Sequence, residues 1–302
     1  MIKEMIAFSK MHGLGNKIIV ADMGENSAVF HPQAITQLAQ DSMMHFDQIM
    51  AIYPANDPKA DYALSIYNID GSLAQACGNG TRCVVEWLYQ QNRGEVFTFQ
   101  TQAGLLHAMR TPTGLVSVDM GAPRFLWQEI PLSQACDTVH APIGAGPLSD
   151  ATLVSMGNPH AIYFLDQPID DFPLDTYGPL IEHHPFFPER CNVSIVSKSS
   201  ETTLHMRTWE RGAGLTKACG SAACAAVVSA HRRGLLEPSS RDSGVDVYFA
   251  THRGWMETGM FLSILWKNDQ HVCMIGPTSL EFSGQLNPQT GDYYISENKD
   301  AS

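Results

Sequence analysis

The sequence predicts an α+β protein of two similar domains related by internal duplication. Each domain is expected to be a mixed or antiparallel, barrel-like sheet around a central helix, with an active site in the cleft between the two. Three observations lead there. A Cys-Gly pair occurs twice, in Cys77-Gly78-Asn79-Gly80-Thr81-Arg82-Cys83 and in Cys219-Gly220-Ser221-Ala222-Ala223-Cys224. Each copy follows a strand-like alternating run, 61–68 or 203–209, and opens an apolar run of helical character. The 302-residue chain is long for one domain, and 44% hydrophobic with 17% charged residues is an ordinary globular composition.

In chain order, 7–22 reads as two short strands around the turn Gly13-Leu14-Gly15-Asn16. The glycines permit a tight bend close to a ligand, with Asn16 at its tip. Residues 32–42 have a helical period, and Pro32 suits a first helical turn. Residues 46–53 read as a strand with Asp47 and Gln48 at its entry, and 61–68 as a strand ending in the turn Asn68-Ile69-Asp70-Gly71. A helix is expected over about 81–91, apolar round much of its girth through Val84, Val85, Trp87 and Leu88. A three-strand meander follows at 96–101, 105–110 and 115–120.

Residues 121–150, rich in Pro, Gly and Ala, are the expected domain boundary. Strands at 152–156 and 161–165 then flank Gly157-Asn158-Pro159-His160, a helix covers 173–184, and a strand follows at 193–197. The alternating strand 203–209 leads through Glu210-Arg211-Gly212-Ala213-Gly214 to Cys219 and a second buried helix, about 222–234. Strands at 245–250, 255–265 and 272–275 close the pattern. The expected domains are 1–120 with about 274–290, then 121–273, with 291–302 a loose polar tail.

Composition narrows the class of function. A formal net charge of -12 argues against a nucleic-acid partner, which needs a basic face. The first ten residues carry Lys3, Glu4 and Lys10 and do not read as a secretory signal, and no uncharged run reaches the ~18 residues of a membrane span. Seven scattered cysteines, an odd number, do not make a disulfide framework and point to a reducing cytoplasm. No pair has CxxC spacing, and the adjacent His183 and His184 cannot share a helix face, so no metal site is expected.

A cysteine beside a helix N-terminus is where a thiolate is stabilised. Two of them in matched settings suggest one site, with one thiolate as base and one thiol as acid. Such a pair can remove a proton from one face of a carbon and return one to the other, inverting a stereocentre without a cofactor. The carbon would lie α to a carboxylate, which the two helix N-termini would bind. Asn16, Asn68, Asn158 and Asn192 supply neutral polar contacts, and Arg211 can clamp a carboxylate bidentately. Glu210 and His160 are the nearest candidates for tuning the thiols, and Glu210 can also hold an ammonium group. For Cys83, Cys136, Cys191, Cys224 and Cys273 the simple reading is a packing cysteine.

These residues resemble the diaminopimelate epimerase family. The resemblance is carried by Lys10-Met-His-Gly-Leu-Gly-Asn16, Asn68-Ile-Asp-Gly-Ser72, the Cys77–Cys83 motif, Met156-Gly-Asn-Pro-His160, Phe187-Pro-Glu-Arg-Cys-Asn192, Trp209-Glu-Arg-Gly-Ala-Gly214 and Ala218-Cys-Gly220. It implies that Cys77 and Cys219 are the two acid/base residues, assisted by His160 and Glu210. It also implies that Asn16, Gln48, Asn68, Asn158, Asn192, Glu210 and Arg211 contact the substrate, with the backbone at Gly78, Asn79, Gly220 and Ser221. The substrate implied is LL- or meso-2,6-diaminopimelate, with no cofactor and no metal. The resemblance further implies a cytoplasmic homodimer in lysine and peptidoglycan precursor synthesis.

The chain departs from the family pattern at Lys17 (often Asp), Leu215-Thr216-Lys217 (commonly Glu-Thr-Leu), Ala222 (usually Gly) and Cys191 (Thr). Cys273 stands where many members have a Tyr of the dimer contact. A proline or hydroxyproline racemase on the same plan typically has His where this chain has Asn79. The lack of CxxC spacing and the polar Asn/Arg surround count against a thiol redox protein, and a cysteine hydrolase would leave the second cysteine idle. Two thiols brought close would also oxidise to an inactive disulfide.

Overall fold

The structure, a computed structural model, describes residues 5–24, 29–251, 254–255 and 261–296. The chain divides into two units, Met1–Val118 with Gly276–Ser302, and Asp119–Ile275.

The first unit begins with β1 (Ile6–Gly13) and β2 (Asn16–Asp22), a hairpin whose two turn residues, Leu14 and Gly15, both have positive φ. That is the turn conformation matching strand twist. Then come α1 (Pro32–Gln40), β3 (Gln48–Pro54), β4 (Tyr62–Asn68), the short β5 (Leu73–Ala74), α2 (Gly78–Gln90), β6 (Val96–Thr101), β7 (Gly104–Arg110) and β8 (Val116–Asp119). Strand β1 pairs antiparallel with β2, β2 parallel with β3, β3 antiparallel with β4, and β4 parallel with β6. Strands β6, β7 and β8 continue as an antiparallel meander. Helix α2 packs on β1, β2 and β3 and also on β7, far along the same sheet, so the sheet curls round the helix. Val84, Val85 and Leu88 on α2 are fully buried, each contributing about 1.5–3 kcal/mol of apolar burial. The opposite face of the sheet is covered by Ile35 and Leu38 of α1, packed with Phe8, Ile19 and Ile49.

The second unit repeats the plan: β9 (Thr152–Ser155), β10 (Pro159–Phe164), α3 (Leu174–Glu182), β11 (Asn192–Ser200), β12 (Thr203–Glu210), the short β13 (Gly214–Thr216) and α4 (Gly220–Arg232). After the short α5 (Ser240–Ser243) come β14 (Val245–Thr251), β15 (Gly254–Trp255), β16 (Phe261–Trp266) and β17 (Val272–Gly276). The pairings run antiparallel (β9–β10), parallel (β10–β11), antiparallel (β11–β12), parallel (β12–β14), then antiparallel (β14–β16–β17). This is the order of senses in the first unit, strand for strand, with α3 in the place of α1 and α4 in the place of α2. The duplication expected from the sequence is therefore present in the topology. Helix α4 is buried from Ala222 to Ala230, where alanines let the strands approach closely. The chain then returns to the first unit as β18 (Ser279–Leu286), paired with β1, and β19 (Tyr293–Ile295), paired with β18.

Four expectations need correction. Both central helices begin earlier than their apolar periodicity suggested, at Gly78 and Gly220, directly after the cysteines. Glycine and serine carry no hydrophobic signal, so periodicity alone misses a first turn that is set by its cap. Residues 121–150 lie wholly inside the second unit, which begins at Asp119: Ile130, Leu132, Ala141, Ile143 and Leu148 are in its core against Leu153 and Val193. Their burial needs no periodicity because the segment packs as irregular chain with two isolated bridges, Arg124 to Ser155 and Ala141 to Ala151. The expected polar tail 291–302 includes strand β19, where the Tyr293 hydroxyl donates to Asp41 at 2.9 Å. Of the strand expected at 255–265, residues 256–260 lie outside the described residues, as do 1–4 of the N-terminal segment and 297–302 of the tail.

Gly178 on α3 lies flat on Trp209: a Cβ there would stand 2.6 Å from Trp209 Cγ. Gly178→Ala is expected to lower stability by about 1–3 kcal/mol through overpacking. Urea unfolding followed by tryptophan fluorescence checks this, and an unchanged midpoint would refute the contact.

Candidate active site

In the first unit, Cys77 is the N-cap of α2. Its backbone is extended (φ -149°, ψ 96°), and its Sγ accepts a hydrogen bond from the Gly80 N–H at 3.2 Å. Serine, threonine, aspartate and asparagine usually fill this position; here sulfur takes it and sits at the positive end of the helix. Gly80 must lack a side chain, since a Cβ would stand 2.5 Å from Met50 Sδ on β3 and 3.1 Å from Cys77 Sγ. The Cys77 thiol donates to Gln48 Oε1 at 3.3 Å.

The other polar residues reach the same edge through strand register. Gln48 opens β3 and pairs with both Ile18 and Asn68, so the start of β2, the start of β3 and the end of β4 lie side by side. Asn16 donates to Asp47 Oδ2 at 2.9 Å, and the Lys17 N–H donates to the same oxygen at 2.7 Å. Asn68 donates to Ser72 Oγ at 3.0 Å, and Asp70 accepts both the N–H and the hydroxyl of Ser72. Those bonds hold the Asp70 carboxyl below the usual carboxylate range. Asn79, in the first turn of α2, is buried, and its Oδ1 has no hydrogen-bond partner among the described residues.

In the second unit the same positions are filled by different chemistry. Cys219 is the N-cap of α4, with an extended backbone (φ -122°, ψ 111°). Asn192 opens β11 as Gln48 opens β3, and pairs with His160. Glu210 ends β12 as Asn68 ends β4, each nine residues ahead of its cysteine. Asn158 precedes β10 by one residue and donates to Ser221 Oγ at 3.4 Å. Ser221 Oγ lies 3.5 Å from Cys219 Sγ. Asn192 accepts the Arg211 N–H at 2.9 Å and donates to the Pro159 carbonyl at 3.3 Å. Arg211 also donates from Nη1 to the Glu189 carbonyl at 3.0 Å.

The environments of the second cluster push protons in definite directions. Burial raises the Cys219 thiol well above its ordinary range, and the Glu210 carboxylate adds to the rise; Ser221 and the Ala222 N–H act the other way more weakly. Cys219 is thus held as the neutral thiol. His160 is fully buried, and burial together with nearby Arg211 lowers it to about 3, so its imidazole is neutral. Its Nε2–H donates to Asn158 Oδ1 at 2.8 Å. The structure therefore places His160 on Asn158, which in turn reaches the Ser221 hydroxyl, rather than directly on a thiol.

Each unit thus gathers its own candidates: Asn16, Gln48, Asn68, Cys77, Gly78 and Asn79 in one, and Asn158, His160, Asn192, Glu210, Arg211, Cys219, Gly220 and Ser221 in the other. Three contributors escaped the sequence reading. Asp47 braces Asn16, Thr216 donates its hydroxyl to Glu210 Oε1, and buried Glu182 accepts from Trp209 and Gly212. Glu182 is the one with a sequence signal, since Gly178 and Glu182 are four apart in a helical run and share a face. Among the described residues no three His, Cys, Asp or Glu side chains are gathered to hold a metal ion.

A family model described as diaminopimelate epimerase matches residues 8–126 and 152–280. A diaminopimelate epimerase of Bartonella quintana is 52% identical over 287 residues, covering 95% of this chain and 97% of that protein. One of Brucella canis is 49% identical over 293 residues, covering 95% and 92%. Among solved structures, a phenazine biosynthesis protein of Bacillus anthracis matches with a TM-score of 0.64 at 14% identity, over 94% of this chain and 99% of that one. A hydroxyproline epimerase from Agrobacterium vitis matches with a TM-score of 0.60 at 14% identity, over 94% and 93%. At such identities the likeness is one of fold.

Because Cys219 is held protonated, its alkylation by iodoacetamide should begin only at strongly alkaline pH. Glu210→Gln removes one of the two causes and should move that onset to lower pH, while burial keeps it above an exposed cysteine's. Peptide mass mapping across pH reads both curves, and coincident curves would contradict the Glu210 contribution.

Proposed function

The chain belongs to the diaminopimelate epimerase family, and from that membership we propose that it interconverts LL- and meso-2,6-diaminopimelate by proton transfer at one α-carbon, without a cofactor. The observation that carries this reading is the pair of equivalent helix N-caps, each a cysteine. A hydrolytic role would leave one thiol idle and a redox role would leave the polar Asn and Arg surround unused, whereas inversion of a stereocentre calls for one thiol on each face of the carbon.

On this reading the carboxylate beside the reacting carbon takes hydrogen bonds from the first N–H groups of α2 and α4, at Gly78, Asn79, Gly220 and Ser221. These groups have no acceptor within their own helix. As the α-proton leaves, negative charge grows on that carboxylate, and the donors act more strongly on it than on the ground state. Asn16, Gln48, Asn68, Asn158 and Asn192 hold the remaining polar groups, Glu210 an ammonium and Arg211 the distal carboxylate. Cys219, neutral at rest, delivers a proton while Cys77 takes one; the reverse direction exchanges the roles. The Gly80 N–H at Cys77 Sγ is a donor to the thiolate form. His160 acts by fixing Asn158. The proposal extends to a cytoplasmic homodimer serving lysine and peptidoglycan precursor synthesis.

Incubation of LL-diaminopimelate in heavy water tests the mechanism. Early in turnover, solvent deuterium should appear mainly in the inverted product, and Cys77→Ala and Cys219→Ala should each abolish epimerisation. Near-normal turnover by either variant would sink the two-thiol mechanism. Inversion of proline derivatives in place of diaminopimelate would instead reassign the substrate.

A further inference from the structure

We propose that Glu182, at the C-terminal end of α3, is the positioning residue that aims Glu210 and Arg211, clamping the turn that carries them through Trp209 and Gly212. The inference deepens the proposed function and rests on it for the roles of Glu210 and Arg211.

The Glu182 carboxylate is almost wholly buried, and its bonds are concentrated on one short segment. Oε2 accepts the Trp209 indole N–H at 2.7 Å, and Oε1 accepts the Gly212 N–H at 2.9 Å. Arg190 Nη1 stands 3.8 Å from Oε1. The two acceptor oxygens therefore bracket Glu210 and Arg211 from the residue before and the residue after. Gly178, one helical turn earlier on the same face of α3, lets the helix lie against the Trp209 ring, so helix and indole are joined at both ring and N–H. Arg211, Gly212 and Ala213 are exposed, and Gly212 has φ +74°, so the turn itself offers little packing to hold its shape.

The first unit shows why an outside clamp is needed here. The equivalent turn, Asn68–Gly71, closed by the Gly71 N–H to the Asn68 carbonyl at 2.9 Å, is further held by its own Asp70, which accepts two hydrogen bonds from Ser72. In the second unit the equivalent turn, Glu210–Ala213, keeps the backbone bond from the Ala213 N–H to the Glu210 carbonyl at 3.1 Å, but Gly212 stands where Asp70 does, so the stretch has no short side-chain acceptor of its own. The acceptor has moved to α3. A buried carboxylate is suited to the task because it is acceptor-only and can serve two N–H groups at once. A glutamine has one carbonyl oxygen, so its amide N–H₂ would face either the indole or the Gly212 N–H, donor against donor.

The test compares Glu182→Gln, Glu182→Asp and Trp209→Phe for kcat and KM with LL-diaminopimelate, for thermal midpoint, and for the pH profile of Cys219 alkylation. Glu182→Gln should lower kcat/KM by about 10²-fold, the scale of a slight misplacement of binding groups. It should also move the onset of Cys219 alkylation to lower pH, toward that of Glu210→Gln, because Glu210 no longer stays beside the thiol. Glu182→Asp should recover part of both. Trp209→Phe keeps the ring on Gly178 but drops one hydrogen bond, and should shift both in the same direction by less. A folded Glu182→Gln with wild-type KM and a wild-type alkylation profile would overturn the inference, even with a lowered thermal midpoint. If that variant does not fold, an unchanged profile in Trp209→Phe does the same. Should the enzyme leave diaminopimelate untouched, the alkylation profiles still decide the role of Glu182, and only the proposed function falls.

Discussion

The structure of each unit depends on a helix whose girth is buried while its N-terminus stays open at a sheet edge. Cysteine is a poor substitute for the oxygen caps that normally start a helix. Helices α2 and α4 therefore depend on tertiary burial, and the curled sheets supply it: α2 is packed from β1 round to β7, and α4 has no exposed residue from Ala222 to Ala230. The mouth of α2 is tolerated only because small residues surround it. Gly80 leaves room for Met50 and for the cysteine sulfur, and a Cβ on Gly13 would stand 2.8 Å from an Arg82 nitrogen. Core packing and the placement of the cysteine sulfur are, in this fold, one constraint.

Strand register extends that constraint to the polar residues. Once β3 starts at Gln48 and pairs with Ile18 on one side and Asn68 on the other, three chain segments far apart in sequence end at the same edge. The second unit reproduces the arrangement with His160 beside Asn192. A one-residue slip in either pairing would turn these side chains to the opposite face. The hydrogen bonds from Asn16 to Asp47 and from the Arg211 N–H to Asn192 fix the segments that lie just beyond the strands.

Much of this was legible in the residues. The alternation of 61–68 and 203–209, the repeated Cys-Gly pair and the nearly equal spacing from each of those strands to its cysteine already described a duplication. What the residues concealed has physical causes. The first turns of α2 and α4 are Gly, Asn and Ser, which carry no periodic signal. The core residues of 130–148 are held by an irregular chain, so burial there has no period to read. The link from His160 to Asn158 instead of to a thiol depends on a ring orientation that sequence does not express. Glu182 and Thr216 act across separations set by tertiary packing, and only the Gly178–Glu182 spacing on α3 hints at the first.

The duplicated scaffold holds its two thiols in unequal surroundings, and on the proposed mechanism that inequality connects binding to reactivity. Asn68 in the first unit is neutral; Glu210 in the equivalent place carries a charge that, with burial, keeps Cys219 protonated. On the proposed binding mode a substrate ammonium group sits against Glu210. Its positive charge offsets the carboxylate, so that one of the two causes holding the thiol neutral is withdrawn when substrate is present. Burial remains, and Cys219 stays a proton donor, but the penalty for its becoming a thiolate after the transfer is reduced. The same carboxylate would then do two things in sequence: hold the free enzyme's thiol in its protonated form, and, once neutralised by substrate, let that thiol ionise within the reaction. A glutamine in its place could hydrogen-bond an ammonium group but could not make this exchange, because it has no charge to be cancelled.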